Sequence, residues 1–435
     1  MRAHLIIVVF ISMILATSCT SAKYSTTPAM EINKLNNQSS NFQTRTDSFL
    51  TNLLHAYPQF FDSLIKQNKI WQIQIIYTQI DRDRTNIPSF NHFFYNVNPS
   101  QYFYPASTVK LPTAILALQK LNELNIKRLT RDSTMITETG YNGWSGVYNE
   151  PTNSDGRPSI AHYIKKILLV SDNDAYNRLY EFLGQEYLNN TLAKMGYDST
   201  EIIHRLNIAM SEEQNRYTNP IRFIDTSGQV IYMQPLIRST LTHHQRHHYM
   251  GKGYYSGGKL VQEPFNFSKK NRLALSDLHS MVQSIIFPDA VPKRQRFDLT
   301  ADDYRFLHTY MSMYPKESAF PSYDSSYNDA YVKFLFYGAK DPVKPNIRIF
   351  NKVGDAYGFL IDAAYIVDFD NKVEFLLSAV IHCNSDGIYN DDKYEYEQVG
   401  FPFMKHLGEV IYEYEKTRKR SHLPDLSSFK MSYGN

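Results

Sequence analysis

Tyr104-Pro105-Ala106-Ser107-Thr108-Val109-Lys110-Leu111-Pro112 opens an apolar run that continues to Leu121. Leu111, Ala114, Ile115, Leu118 and Leu121 recur at helical spacing, so a helix is expected just after Pro105, with Ala106 turned toward extended geometry. Ser107 then stands at a helix start. Lys110 follows about one turn later on the same face. A serine hydroxyl attacks only when a base takes its proton, and a lysine desolvated among apolar neighbours can be that base. The helix N-terminus adds backbone N–H groups and positive potential where an oxyanion would form.

The Ser-x-x-Lys spacing also occurs at Ser63/Lys66, Ser256/Lys259 and Ser427/Lys430, so spacing alone selects no pair. Context selects Ser107/Lys110. Downstream come Ser171-Asp172-Asn173, between predicted helices at 160–170 and 175–183, and then Asn351-Lys352-Val353-Gly354-Asp355 beside strand-like sequence. S-x-x-K, S-D-N and a K-[ST]-G-type triplet in that order resemble the class A β-lactamases and penicillin-binding proteins.

The resemblance implies an α+β fold, with an antiparallel sheet built from both chain ends, flanking helices and an inserted all-helical subdomain. The catalytic set it implies is Ser107 as acylated nucleophile, Lys110 as proton acceptor, Ser171 as relay to the leaving nitrogen and Lys352 as positive charge for a substrate carboxylate. Asn173 would donate to the acyl side chain, and the backbone N–H groups of Ser107 and Asp355, with Gly354 between Asp355 and the lysine, would shape the oxyanion site. No cofactor is implied. Three positions depart from the family pattern: Val353 stands where a hydroxyl residue is expected, Asp355 brings a carboxylate to the oxyanion region, and Asn207 falls where class A enzymes carry the deacylating glutamate. Glu201, Glu212 and Glu213 are near in sequence and could replace it.

The pattern of the chain agrees with this layout. Helical spacing is expected over 49–66, 104–124, 275–287, 301–313 and 401–414, and strands over 70–80, 93–97, 347–350, 358–369 and 373–383, with a hairpin turn at Asp370-Asn371. The catalytic domain spans 49–420, its helical subdomain about 125–340, with a long insertion at about 215–271 and a polar tail at 421–435. The insertion carries His243, His244, His247 and His248 and reads as a polar lid, although histidines at i, i+4 could hold a metal on a helix. Tyr141, Trp144 and Tyr148 are candidates for a cleft wall.

Residues 1–18 combine Arg2, a short apolar run and small residues, as in an export signal, and Cys19 reads as a lipidated first residue ahead of a polar tether at 19–48. The expected location is the bacterial cell envelope, lipid-anchored to a membrane. Cys383 is then an unpaired, buried thiol. With 43% apolar and 20% charged residues the 435-residue chain can bury a large core, and a net charge of +3 argues against a nucleic-acid partner. The basic run Lys416, Arg418, Lys419, Arg420 reads as a helix C-terminus favoured by its dipole. Three functions fit: hydrolysis of a β-lactam or related amide or ester, D-alanyl-D-alanine peptidase or transpeptidase chemistry on a peptidoglycan-like substrate, or non-catalytic binding in the envelope.

Overall fold

The computed structural model describes residues 43–140 and 145–433. The export segment, Cys19, most of the tether, and Tyr141 and Trp144 lie outside the described residues. Along the chain, helices α1 (Ser48–His55) and α2 (Pro58–Lys66) precede strands β1 (Gln74–Arg82) and β2 (Pro88–Tyr95). Helices α3 (Lys110–Leu124), α4 (Ile160–Val170), α5 (Asn173–Met195), α6 (Leu275–Ile286) and α7 (Ala301–Ser312) follow. Strands β3 (Ile347–Ala356), β4 (Phe359–Asp368) and β5 (Val373–His382) and helix α8 (Phe401–Thr417) complete the main elements.

The sheet order is β3-β4-β5-β1-β2, antiparallel throughout. Every residue of β4 and β5 is buried, because both faces are covered. Strand alternation divides the load: Ile75 and Tyr77 of β1 pack with Leu50, Leu54 and Met404 of the terminal helices, whereas Ile76 and Ile80 pack with Leu278 and Met281 of α6. The architecture is therefore a terminal antiparallel sheet between helical layers, with a large insert between β2 and β3, as the resemblance implies.

Several local expectations change. The helix predicted over 49–66 is two helices, because Pro58 takes the first position of α2 and forces Tyr57 out of helical geometry (φ −124°, ψ 61°). The strand predicted from 70 begins at Gln74, after a helical turn Asn68–Trp71 that ends on left-handed Gln72. Helix α5 runs to Met195 through a break at Gly184 (φ 71°). The insert is not all-helical: Thr134–Thr137, Ile221–Ile224 and Val230–Gln234 form a three-stranded sheet, and Gly253–Ser256 with Lys259–Val261 forms a hairpin that pairs in parallel with Ile388–Tyr389. These strands are too short for periodicity to distinguish them from loops.

The segment that reads as a polar tail inserts Leu426 and Phe429 into the core, Phe429 lying 4.9 Å from Tyr365 and 5.9 Å from Phe350 between ring centroids. Arg418 donates to Glu415 at 2.9 Å and to Asp81 at 2.5 Å, so the basic run clamps α8 to the end of β1. Cys383 is buried beneath Gly400, where a Cβ would stand 2.8 Å from its Sγ. Among the described residues no helix is long and apolar enough to cross a membrane.

Candidate functional site

Ser107 sits on a single 3-10 turn, Ala106–Val109, that feeds directly into α3. Ala106 is left-handed (φ 48°) rather than extended, an unfavourable conformation for a residue with a Cβ. Thr108 secures the turn, donating its N–H (3.0 Å) and its hydroxyl (2.6 Å) to the carbonyl of Pro105. Val109, Leu111, Ala114 and Ile115 are fully buried, so the turn is mounted on a helix that threads the core. Ser107 itself is half-buried.

Strand β3 runs against this turn. A Cβ on Gly354 would lie 2.8 Å from the carbonyl oxygen of Pro105, 2.9 Å from Thr108 N and 3.0 Å from Ser107 N, all backbone atoms. Only a residue without a side chain permits that approach, which brings the Gly354-Asp355 peptide beside the N–H of Ser107.

Ser171 comes from the third direction. It ends α4 in left-handed geometry (φ 61°), and Asp172 then caps α5 by accepting from Ala175 N at 2.7 Å. Lys110 Nζ donates to the carbonyl oxygen of Ser171, to Ser171 Oγ at 3.3 Å and to Asn173 Oδ1 at 2.8 Å. Lys352 Nζ donates to the same Ser171 Oγ at 2.9 Å and to the carbonyl of Val353 at 2.8 Å. One serine oxygen thus bridges two buried ammonium groups. Among the described residues, no hydrogen bond joins Lys110 Nζ to Ser107 Oγ.

Two cations so close and so deeply buried cannot both keep their protons cheaply. Burial, reinforced by Lys352, holds Lys110 well below the ordinary lysine range, against the pull of Asp172 and Asp355. Burial lowers Lys352 to about 7, with Asp355 and Asp362 opposing. Asp355 is solvent-accessible at the cleft floor, and its carboxyl rises above the usual range because the surrounding walls desolvate it more than Lys352 and Lys110 stabilise it. Val353 packs under the terminal helices, 2% exposed, so alternation turns it into the core.

The glutamates considered for deacylation are engaged elsewhere. Glu201 pairs with Arg246 and His243, Glu212 with Lys269, and Glu213 with Arg238. Asn207 is exposed and left-handed (φ 54°). The histidine-rich segment is irregular rather than helical: His243 contacts Glu201 and Gln185, and His248 stacks on Tyr102 at 4.6 Å. Among the described residues no group of three or more histidine, cysteine or acidic side chains could hold a metal. Tyr148 is exposed and donates to Glu138 at 2.7 Å.

A charged layer behind β3 escapes sequence reading. Lys333, fully buried, donates to Asn351 Oδ1 and to the carbonyl of Met311, both at 2.7 Å. Asn351 Nδ2 donates to Asp362 Oδ1 at 2.8 Å, while Asp362 Oδ2 accepts from the backbone of Phe334 and Leu335. Burial lowers Lys333 and raises Asp362. The available signal was a lone charge inside each of two apolar runs, Val332-Lys333-Phe334-Leu335 and Leu360-Ile361-Asp362-Ala363-Ala364.

Comparison with known proteins gives a match to the β-lactamase enzyme family over residues 59–262, which takes in Ser107, Lys110, Ser171 and Asn173 and stops short of Lys352. No curated protein matches. Among solved structures, the chain is similar to a β-lactamase from Sphaerobacter thermophilus at 13% identity, covering 82% of this chain and 97% of that one with a TM-score of 0.44. It is similar to a β-lactamase from Xanthomonas campestris at 12% identity, over 85% and 100% of the two chains, TM-score 0.45. A protein titled PBP-A is 15% identical over 84% and 97%, TM-score 0.45. The sheet order, the helical insert and the family match together give this chain a β-lactamase/penicillin-binding-protein-like fold.

Proposed function

We propose that the protein is a serine acyl-transfer enzyme that forms an acyl-enzyme on Ser107 with a β-lactam or a related amide or ester. The observation that carries this reading is Ser171 Oγ held between Lys352 and Lys110, the lysine that opens the helix just beyond Ser107. Neutral Lys110 has two N–H bonds, which the Ser171 carbonyl and Asn173 Oδ1 can take, and its lone pair is then free for a hydroxyl proton. Ser107 Oγ attacks the carbonyl carbon as its proton passes to Lys110. The negative charge collects on the carbonyl oxygen near the N–H groups of Ser107 and Asp355, where one such donor is worth about 3 kcal/mol. As the C–N bond breaks, the proton travels from Lys110 through Ser171 to the leaving nitrogen. Lys352, while protonated, attracts a substrate carboxylate, and Asn173 retains its Nδ2 donors for the acyl side chain.

The engagement of Glu201, Glu212 and Glu213 in ion pairs favours slow hydrolysis of the ester once it has formed. That supports a second reading, a D-alanyl-D-alanine peptidase or transpeptidase-like enzyme, which needs the same acylation and tolerates a long-lived intermediate. Export and lipidation at Cys19 belong to the same proposal, which would put the domain on an envelope membrane.

Intact mass followed over time after exposure to a fluorescent penicillin tests both. The expected result is a one-to-one adduct that Ser107→Ala abolishes. Release within minutes favours a β-lactamase, whereas persistence with cleavage of a D-Ala-D-Ala peptide favours the peptidase. Neither adduct nor turnover with either class of substrate refutes acyl transfer.

A further inference from the structure

Strand β3 leaves one carboxylate idle beside the Ser107 turn. Asp362 accepts from Asn351 and from the backbone of Phe334 and Leu335, while Asp172 accepts from Ala175 and lies 3.8 Å from Lys166. The Asp355 side chain has no hydrogen bond and no ion pair among the described residues. Its place is nonetheless fixed, because the close approach of Gly354 to the turn sets the Asp355 backbone next to the N–H of Ser107. The side chain is exposed, yet the surrounding walls desolvate it, as befits a cleft. Lys352 and Lys110 act on its charge through space, but both amines donate to Ser171 and neither comes within ion-pair reach.

An aromatic row stands nearby. The segment between α7 and β3 is pinned to the strand by Asn351, whose Nδ2 donates to the carbonyl of Val332 at 2.8 Å. Tyr331, the residue before, is 39% exposed. Its ring lies 5.0 Å from that of Tyr327, which in turn lies 5.1 Å from that of Tyr323, each pair edge to face. Burial, Tyr327 and Asp355 raise the Tyr331 phenol above its ordinary range, while burial and Asp172 raise that of Tyr323. The row therefore runs from the neighbourhood of Asp355 toward that of Asp172, alongside the two motifs that meet at Ser171. A carboxylate in a desolvating cleft is stabilised by a cation and destabilised by a second anion, and exposed aromatic rings favour a cation as well.

We infer that Asp355 sets the specificity of the Ser107 cleft, selecting amides or esters that carry an ammonium group near the scissile carbonyl, with Tyr331 beside that group. The inference rests on acyl transfer at Ser107. An ammonium so placed becomes the partner that Asp355 lacks, whereas a carboxylate at the same point meets repulsion.

Ampicillin, benzylpenicillin and carbenicillin differ only at one side-chain carbon, which carries an ammonium, a hydrogen or a carboxylate. All three share the ring carboxylate that Lys352 attracts, so its contribution cancels. Acylation of the whole protein by each, followed by intact mass and by consumption of the penicillin at about pH 6.5, where an α-amine is protonated, tests the specificity. The expected order is ampicillin, benzylpenicillin, carbenicillin, with ampicillin about tenfold faster than carbenicillin, the worth of one charge-assisted contact. Asp355→Asn keeps the backbone N–H and should bring those two within about threefold of each other, whereas Asp355→Glu should preserve the order. Equal rates in the parent, or an order that survives Asp355→Asn, would overturn the specificity role and leave Ser107 acylation standing. Neither adduct nor turnover with any of the three overturns acyl transfer, and this inference with it. The parent's order needs no variant, so it decides alone if Asp355→Asn fails to fold.

Discussion

Replacing Gly354 with alanine isolates the contact on which the candidate oxyanion site depends. The added methyl would stand 2.8, 2.9 and 3.0 Å from three backbone atoms of the Pro105 to Thr108 turn. Ordinary carbon contacts begin near 3.4 Å, so strand and turn must part by about 0.6 Å, and backbone on both sides leaves no flexible side chain to yield. Gly354 lies within a strand at ordinary negative φ, so alanine suffers no dihedral penalty and should gain about 0.4–1 kcal/mol from a stiffer unfolded chain. Overpacking costs about 1–3 kcal/mol, and therefore wins. The melting temperature should fall by a few degrees. The catalytic cost should be larger, because the same displacement moves the N–H of Asp355 off the reacting carbonyl: roughly a hundredfold in acylation rate. Thermal unfolding followed by circular dichroism and acylation kinetics by intact mass read the two effects separately. An acylation rate within threefold of the parent would refute the reasoning, since it would mean that β3 and the serine turn do not form one site.

The pH profile offers a second check. The productive form has Lys352 charged, so the alkaline limb of kcat/KM should fall through about 7 as Lys352 loses its proton. Lys352→Arg keeps the charge at all accessible pH and should erase the alkaline limb; a profile identical to the parent's would count against Lys352 as the carboxylate partner. Asp362→Asn removes a carboxylate that favours the charged form of Lys352, so the alkaline limb should move to lower pH. The same change strips Lys333 of its buried counter-charge and should destabilise the fold by roughly 3 kcal/mol, measured by urea titration; unchanged stability would show that the layer behind β3 is neutral.

The long apolar elements were legible in the sequence because their periodicity is strong: α3, β4, β5 and α8 stand within a few residues of their expected bounds. Three motifs far apart in sequence bring Lys110, Ser171, Asn173 and Lys352 into contact. What the residues did not disclose was set by tertiary context. The left-handed backbone at Ala106 runs against the propensity of alanine and occurs in a turn that β3 packs on. The short strands of the insertion gain their stability from pairing with distant partners such as Ile388–Tyr389, which local pattern does not reveal. Burial of Lys333 and Asp362 became visible only when two apolar runs far apart in sequence closed on each other. The spacing that sets Lys110 one turn beyond Ser107 gave no sign that the lysine also donates to the carbonyl of Ser171 and to Asn173.

The last feature with reach beyond the cleft is the origin of the sheet. Strands β1 and β2 are synthesised before the insert, whereas β5, which must pair with β1, and β3, which completes the Ser107 neighbourhood, follow it. Phe429, from beyond α8, then packs on Phe350 of β3 and Tyr365 of β4. The neighbourhood of Ser107 therefore stays incomplete until both parts of the sheet have been made, and completing it closes one very long loop.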